Sequence, residues 1–358
     1  MKITRRTFVN LTSAAMVAAP YATSAKAQSS GDDPLGIRGD FPLLETTNFL
    51  NTAYHSVAPQ QVVDAGVQFY LDRGNPADGN IVTDDLQYVA SFVLYDHFAK
   101  TKGVEVRIVK RDESGASNYS EFEKLVDDKT RIVSVSWVSH ENGFQHDLKS
   151  LSDLAHSHDA YLYVDAIQGV GMLELDVKET GIDFFGCGTY KWLLGSYGAA
   201  FFYIRDELQD IIPADRRGML SVTNTEIMTD FDSYPDAAKY GYATPAFGAI
   251  TVVGTALDYI ASVGVGNIEK HTVPLAAQMR EAIVENGLRT DTPRGNRSAI
   301  VTFFHGKDPA TVKALFDSEN IKATYKHGGT KIRVGASLFN NQSDIDHFKQ
   351  VTGKLAAL

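Results

Sequence analysis

Three short segments hold residue types that can do chemistry together. Val164-Asp165-Ala166-Ile167-Gln168 sets a carboxylate and a carboxamide close together. Further on, Gly188-Thr189-Tyr190-Lys191-Trp192-Leu193-Leu194-Gly195-Ser196-Tyr197-Gly198 sets a lysine among aromatics and glycines. Val138-Ser139-His140-Glu141-Asn142-Gly143 adds an imidazole and a second carboxamide. A lysine amine condenses with an aldehyde to form an imine, and desolvation lowers its pKa toward base catalysis. A buried carboxylate keeps a ring nitrogen protonated, so that a bound heterocycle serves as an electron sink. Asp165 and Lys191 suit those roles, and Gln168 can reach a ring hydroxyl oxygen from the same strand end. Pyridoxal 5′-phosphate (PLP) is a cofactor that needs all three. Taken singly, an Asp at a strand end is ordinarily a turn residue, and a Lys beside Trp ordinarily packs its stem. The combination is what points to a cofactor.

The elements around these residues alternate. Val104–Val109, Arg131–Val138, Ala160–Val164, Phe184–Cys187 and Ala199–Ile204 read as strands, rich in β-branched and small residues. Glu121–Val126 reads as a helix. Asp147 can cap another running to about His156, with Leu148, Leu151 and Leu154 along one side. Such alternation implies an α/β fold with a mainly parallel sheet. Ligands in such sheets sit off the carboxyl ends of the strands, which marks Asn142, Asp165 and Lys191. After Pro245 come two long helical patterns, Phe247–Ser262 and Asn267–Asn286. A strand (Ala299–Phe304), a helix (Pro309–Ser318), a strand (Lys331–Gly335) and a last helix (Ser343–Lys354) follow, as a smaller α+β domain. The expected division is 1–27, 28–59, 60–243 and 244–358: leader, arm, large domain and small domain.

The 358 residues carry a formal net charge of −10, with 44% hydrophobic and 22% charged residues. That acidic balance argues against a nucleic-acid or anionic-membrane partner. A single cysteine, Cys187, excludes an internal disulfide and a cysteine-based metal cluster. The first residues read as an export signal. Arg5-Arg6 and Phe8 precede a modest apolar stretch, Ala25-Lys26-Ala27 supplies a cleavage pattern, and no acidic residue occurs before Asp32. The arginine pair resembles a twin-arginine (Tat) signal, so a periplasmic or secreted protein delivered by the Tat export machinery is expected. No membrane span is expected after cleavage.

The Asp165–Gln168 and Gly188–Gly198 segments resemble the active-site pair of class V aminotransferases, in the branch of isopenicillin N epimerase-like and cysteine desulfurase-like proteins. Ser139–Gly143 and the ending from Lys331 to Asp346 resemble the same family, and the likeness extends from Asn48 to the C-terminus. It implies PLP-dependent transferase fold type I and a homodimer with active sites at the subunit interface. It also implies an internal Schiff base of PLP on Lys191. Tyr190, and Thr244 from a partner subunit, would reach the phosphate. Tyr88 would stack on the pyridine ring, and Asn142 would lie near the ring hydroxyl or the substrate. Arg333 would clamp the substrate α-carboxylate, for which a planar fork is suited. His140 and His55 would line the site. Between Leu71 and Ile81 the family carries a further segment with a Ser/Thr-rich turn that cradles the phosphate. Its absence here implies weakened cofactor binding, and a non-catalytic or impaired binding protein is the competing reading. A desulfurase of the usual kind uses a cysteine on a mobile loop of the small domain. Cys187 instead precedes Lys191 on a strand, so that chemistry is not expected. Transamination, epimerisation and β-elimination at Cα remain open.

Overall fold

Runs of valine and isoleucine separated by small polar residues build the sheet that carries the site. The protein is seen in a computed structural model that describes residues 79–358 except 215, 227 and 228. The expected export signal, the N-terminal arm, His55 and nearly all of the gap before Ile81 lie outside the described residues. Six strands are β1 (Asn80–Asp84), β2 (Glu105–Val109), β3 (Thr130–Ser136), β4 (Tyr161–Asp165), β5 (Phe184–Gly188) and β6 (Ala200–Ile204). They lie in the order β2-β1-β3-β4-β5-β6. The first five are parallel, and β6 runs antiparallel to β5. Strands covered on both faces read as continuous apolar or small runs rather than alternating ones. β1 is buried at every position and β3 from Val133 to Ser136.

β1 was not among the expected strands, because both its ends are polar. Both ends are held in place, Asp84 by the Leu86 N–H at 3.2 Å and by His146 at 2.9 Å. Asn80 donates to Asp127 at 3.0 Å and accepts from the Thr130 hydroxyl at 2.9 Å. Helices α1 (Val89–Lys102), α2 (Tyr119–Leu125), α3 (Leu148–Ser157) and α4 (Val177–Thr180) connect the parallel strands. α3 starts where its cap predicts: the Asp147 carboxylate accepts from the Ser150 N–H at 3.1 Å. Leu148, Leu151 and Leu154 are its buried side. A short helix α5 (Asp206–Gln209) follows β6.

The C-terminal part contributes α6 (Phe247–Val263), α7 (Val265–Glu285), α8 (Pro309–Ser318) and α9 (Gln342–Ala357). Its sheet joins β7 (Arg289–Thr290), β8 (Ile300–Phe304), β9 (Thr324–Lys326) and β10 (Lys331–Gly335) in the antiparallel order β7-β8-β10-β9. Alternation along β10 decides what each face does. Ile332 is buried in the core with Phe303, Phe348 and Leu355. Lys331 and Arg333 take the other face, toward the loop after β3. The core runs without a break from Val133 and Leu162 in the large sheet to Val301 and Ile332 in the small one.

Candidate active site at the strand ends

β4 ends on Asp165, and the chain turns at once. The Asp165 carboxylate accepts the Ile167 N–H at 3.1 Å. Burial raises its pKa, while that hydrogen bond and the Lys191 charge pull the other way. No ion pair holds it among the described residues. Lys191 follows β5 in a loop and is half-buried. Burial lowers its pKa, Arg333 and Lys326 push in the same direction, and Asp165 opposes them. Its amine makes no salt bridge among the described residues, and lies 5.9 Å from the centre of the Tyr190 ring. An amine and a carboxylate that sense each other, with neither spent on an ion pair, are available to a ligand.

Gln168 is buried, and its carboxamide oxygen accepts from the Trp192 indole N–H at 2.9 Å. That bond ties the loop of Lys191 to the turn of Asp165 and does not use the amide N–H₂. Gly171 makes the close approach possible: its φ is +89°, and a Cβ there would lie 2.8 Å from the Trp192 carbonyl. Gln168, Trp192, Thr324 and Arg333 line a cavity of about 360 Å³. Neither that cavity nor one of about 640 Å³, bordered by His146, Asp147, Arg294 and Arg297, is lined by Lys191 or Asp165; the smaller one joins the site through Gln168 and Arg333.

The loop after β3 supplies His140. Its ring meets Tyr88 edge-on with centroids 4.9 Å apart. Burial, helped by the Lys326 charge, pushes its pKa down to about 4, so the imidazole is neutral at physiological pH. Its Nδ1 is buried without a hydrogen-bond partner among the described residues. Arg333 donates to the His140 carbonyl at 2.6 Å and to the Thr324 hydroxyl at 3.4 Å across the β9–β10 pair. Both acceptors are neutral, so its charge is left for an anion.

Tyr88 precedes α1 and Tyr190 stands beside Lys191; both are exposed. The Tyr190 ring stacks on Tyr197 at 4.7 Å. Thr244 stands exposed ahead of α6, and no hydrogen bond ties it to the Lys191 loop among the described residues. Asn142 corrects an expectation. Its amide donates to the Gly115 and Asp291 carbonyls at 2.7 and 3.1 Å, and its oxygen accepts from the Phe144 N–H at 3.0 Å. Both amide hydrogens go to backbone in a fully buried side chain, so it shapes the loop and faces no ring hydroxyl or substrate.

Two residues that sequence reasoning passed over belong to the site. Glu141, one residue from His140, is buried and accepts from Lys326 at 2.5 Å, from His327, and from Lys331 at 3.4 Å. Burial alone would raise its pKa; the bonds from Lys326 and His327 overcome that and hold it at about 2. Lys326 ends β9, a strand too short to read from sequence. The acidic residue within Ser139–Gly143 was the available signal for Glu141.

Comparison with known proteins agrees with this arrangement. The chain is 27% identical over 241 residues to a probable cysteine desulfurase of Methanothermobacter thermautotrophicus, covering 66% of this chain and 60% of the relative. It is 29% identical over 236 residues to a cysteine desulfurase of Haloferax volcanii, covering 65% and 54%. The chain thus spans little more than half the length of these relatives. Among solved structures, the cysteine desulfurase CsdA of Escherichia coli superposes with a TM-score of 0.70 at 20% identity, covering 81% of this chain and 74% of that one. The cystine C–S lyase C-DES, in complex with cysteine persulfide, superposes with a TM-score of 0.69 at 15% identity, covering 88% and 91%. The fold is therefore that of the type I PLP-dependent enzymes. The aminotransferase class-V family matches residues 67–348, and to that family the chain belongs.

Proposed function

We propose that this chain is a PLP-dependent enzyme acting at Cα of an amino acid or another substrate bearing an amino group. The observation that carries this reading is the pair formed by Lys191 and Asp165 at neighbouring strand ends. Each is half-buried, each senses the other's charge, and neither is neutralised by an ion pair among the described residues. Bound there, PLP supplies the electron sink for charge developing at Cα. The chain's own residues do the rest. Lys191 holds the cofactor through its amine and moves the proton at Cα. Asp165 holds the proton on the ring nitrogen. Gln168 donates its free amide hydrogens to the ring oxygen. Arg333 takes the α-carboxylate in a bidentate pair, and neutral His140 and Tyr88 close the site beside it. Tyr190, and Thr244 from a second copy of the chain, serve the phosphate.

Among reactions at Cα, we infer one that needs no cysteine nucleophile. Cys187, the one cysteine in the sequence, is buried, and burial pushes its thiol up to about 12. A thiol so placed is protonated and shielded, unlike a reactive one. Elimination at a C–S bond is compatible with this; transfer of sulfur to the enzyme is not.

Borohydride reduction of the loaded protein followed by peptide mapping tests the assignment. The cofactor should be trapped on Lys191, and Lys191→Ala should trap none. A label on another lysine overturns the reading. We also propose Tat-dependent delivery to the periplasm, supported by the Arg5-Arg6 pair. Replacing both arginines with lysine should leave the protein in the cytoplasm; unchanged periplasmic yield refutes the Tat route.

A further inference from the structure

The space between the two sheets holds one cation more than a single substrate carboxylate needs. Lys326 and Arg333 donate to the same oxygen, the His140 carbonyl, at 3.2 and 2.6 Å. Their charged ends are therefore near neighbours, and both act on Lys191. A cation pair of this kind is complementary to two carboxylates. One half of it is already filled from within the chain. Glu141 is buried and meets Lys326 at 2.5 Å, and its other oxygen takes His327 and Lys331. Lys331 has a second carboxylate, Asp291, at 2.8 Å. Arg333 is left as the cation with only neutral acceptors.

We propose that Glu141 is a specificity-determining residue that stands where a substrate's second carboxylate would bind, so that the site accepts amino acids carrying one carboxylate and rejects acidic side chains. This rests on the reading of Arg333 as the α-carboxylate clamp. A side-chain carboxylate entering beside Arg333 meets a cation already neutralised, with a fixed negative charge next to it. Displacing Glu141 from Lys326 would strip one oxygen of a buried carboxylate of its cation and leave only His327 and Lys331 on the other, which is costly. A neutral side chain meets no such opposition. Rejection by a placed repulsive charge is a recognised route to discrimination.

The test compares L-methionine with L-glutamate, which are similar in length, as ligands of the cofactor-loaded protein, by calorimetry. The wild type should favour methionine. Glu141→Gln keeps an acceptor oxygen and removes the charge, and should shift the ratio of dissociation constants toward glutamate by about tenfold, equivalent to about 1.4 kcal/mol. Combining it with Lys326→Met should abolish that shift, since the freed cation is gone. Lys326→Met alone leaves Glu141 without its main partner and should sharpen the rejection of glutamate, an arm that stands even if Glu141→Gln folds poorly. Butyrate and succinate, which lack an amino group, should show the same order in protein without cofactor. An unchanged ratio in Glu141→Gln, a shift that survives in the double variant, or relaxed rejection in Lys326→Met overturns the proposal. Arg333→Met separates the two layers of the argument. It should weaken methionine and butyrate together; if both still bind, the clamp itself falls, whereas a failed Glu141 arm with the clamp intact refutes only the specificity role.

Discussion

At the scale of single residues, the reactive lysine is made by what surrounds it. Lys191 lies half-buried among Arg333, Lys326 and Asp165; burial and the two like charges outweigh Asp165 and Cys187 and lower its pKa. A lowered pKa leaves more of the amine neutral at any given pH below the ordinary lysine range. Reductive methylation near neutral pH should therefore modify Lys191 ahead of the exposed lysines in protein freed of cofactor. Asp165→Asn removes the larger of the two influences that oppose the shift, so Lys191 should label faster still at the same pH. Equal labelling with and without the Asp165 charge would show that the two do not interact. Both residues were legible in the sequence because their chemistry is carried by local motifs. Asn142 was misread for a reason that is also local: a buried Asn after a strand has backbone acceptors and donors within reach, and these claim its amide. For Glu141 the local motif shows an acidic residue but not its partners, since His327 and Lys331 come from 186 and 190 residues away.

At the scale of elements, the loop after β3 is fastened to the small sheet carbonyl by carbonyl. The His140 carbonyl accepts from Arg333 and Lys326, Glu141 from the Thr302 hydroxyl, Asn142 from Thr292, and Gly143 from Ser298. His140 and Arg333 thus sit on one body. Gly143 is required for that fit, with φ at +77° and the Ile300 carbonyl 2.3 Å from where a Cβ would stand. Gly143→Ala should destabilise the protein by at least about 1–3 kcal/mol, the usual cost of a strained backbone position. Urea denaturation measures this. Loss of an exposed cap, as in Asp147→Ala, should cost only about 1 kcal/mol. If Gly143→Ala is no worse than Asp147→Ala, the loop is not clamped as described. The long β-branched strands and the capped helices were legible because each declares itself within one window. β7 and β9, of two and three residues, were not, since their pairing with β8 and β10 creates them. α1 was missed for want of a periodic stripe: Val89, Val93 and Leu94 are exposed, and Tyr95 is its only buried residue.

At the scale of the whole molecule, one helix is exposed where its composition says it should be covered. α6 has a single charged residue, Asp258, and a single buried one, Ile260. Phe247, Ile250, Val252 and Tyr259 are 66, 50, 49 and 52% exposed. Large apolar side chains exposed around most of a helix suit an interaction site, and we propose that a second copy of the chain covers it. Thr244 lies three residues ahead of this helix. The same association would carry Thr244 toward the partner's site, consistent with its having no hydrogen bond to the Lys191 loop among the described residues. A mixed dimer distinguishes the two arrangements. Lys191→Ala and Thr244→Val are each expected to weaken cofactor retention when present in both subunits. In a dimer built from one copy of each, a site composed of Lys191 from one chain and Thr244 from the other receives both defects or neither. Half of the sites should then retain cofactor with wild-type affinity, measured as tightly held PLP per dimer after dialysis. If Thr244 acts within its own chain, every site in the mixed dimer carries one defect, and no tight fraction appears. A tight fraction near one half supports the exchange of Thr244 between subunits; its absence refutes it and removes Thr244 from the phosphate site of the partner.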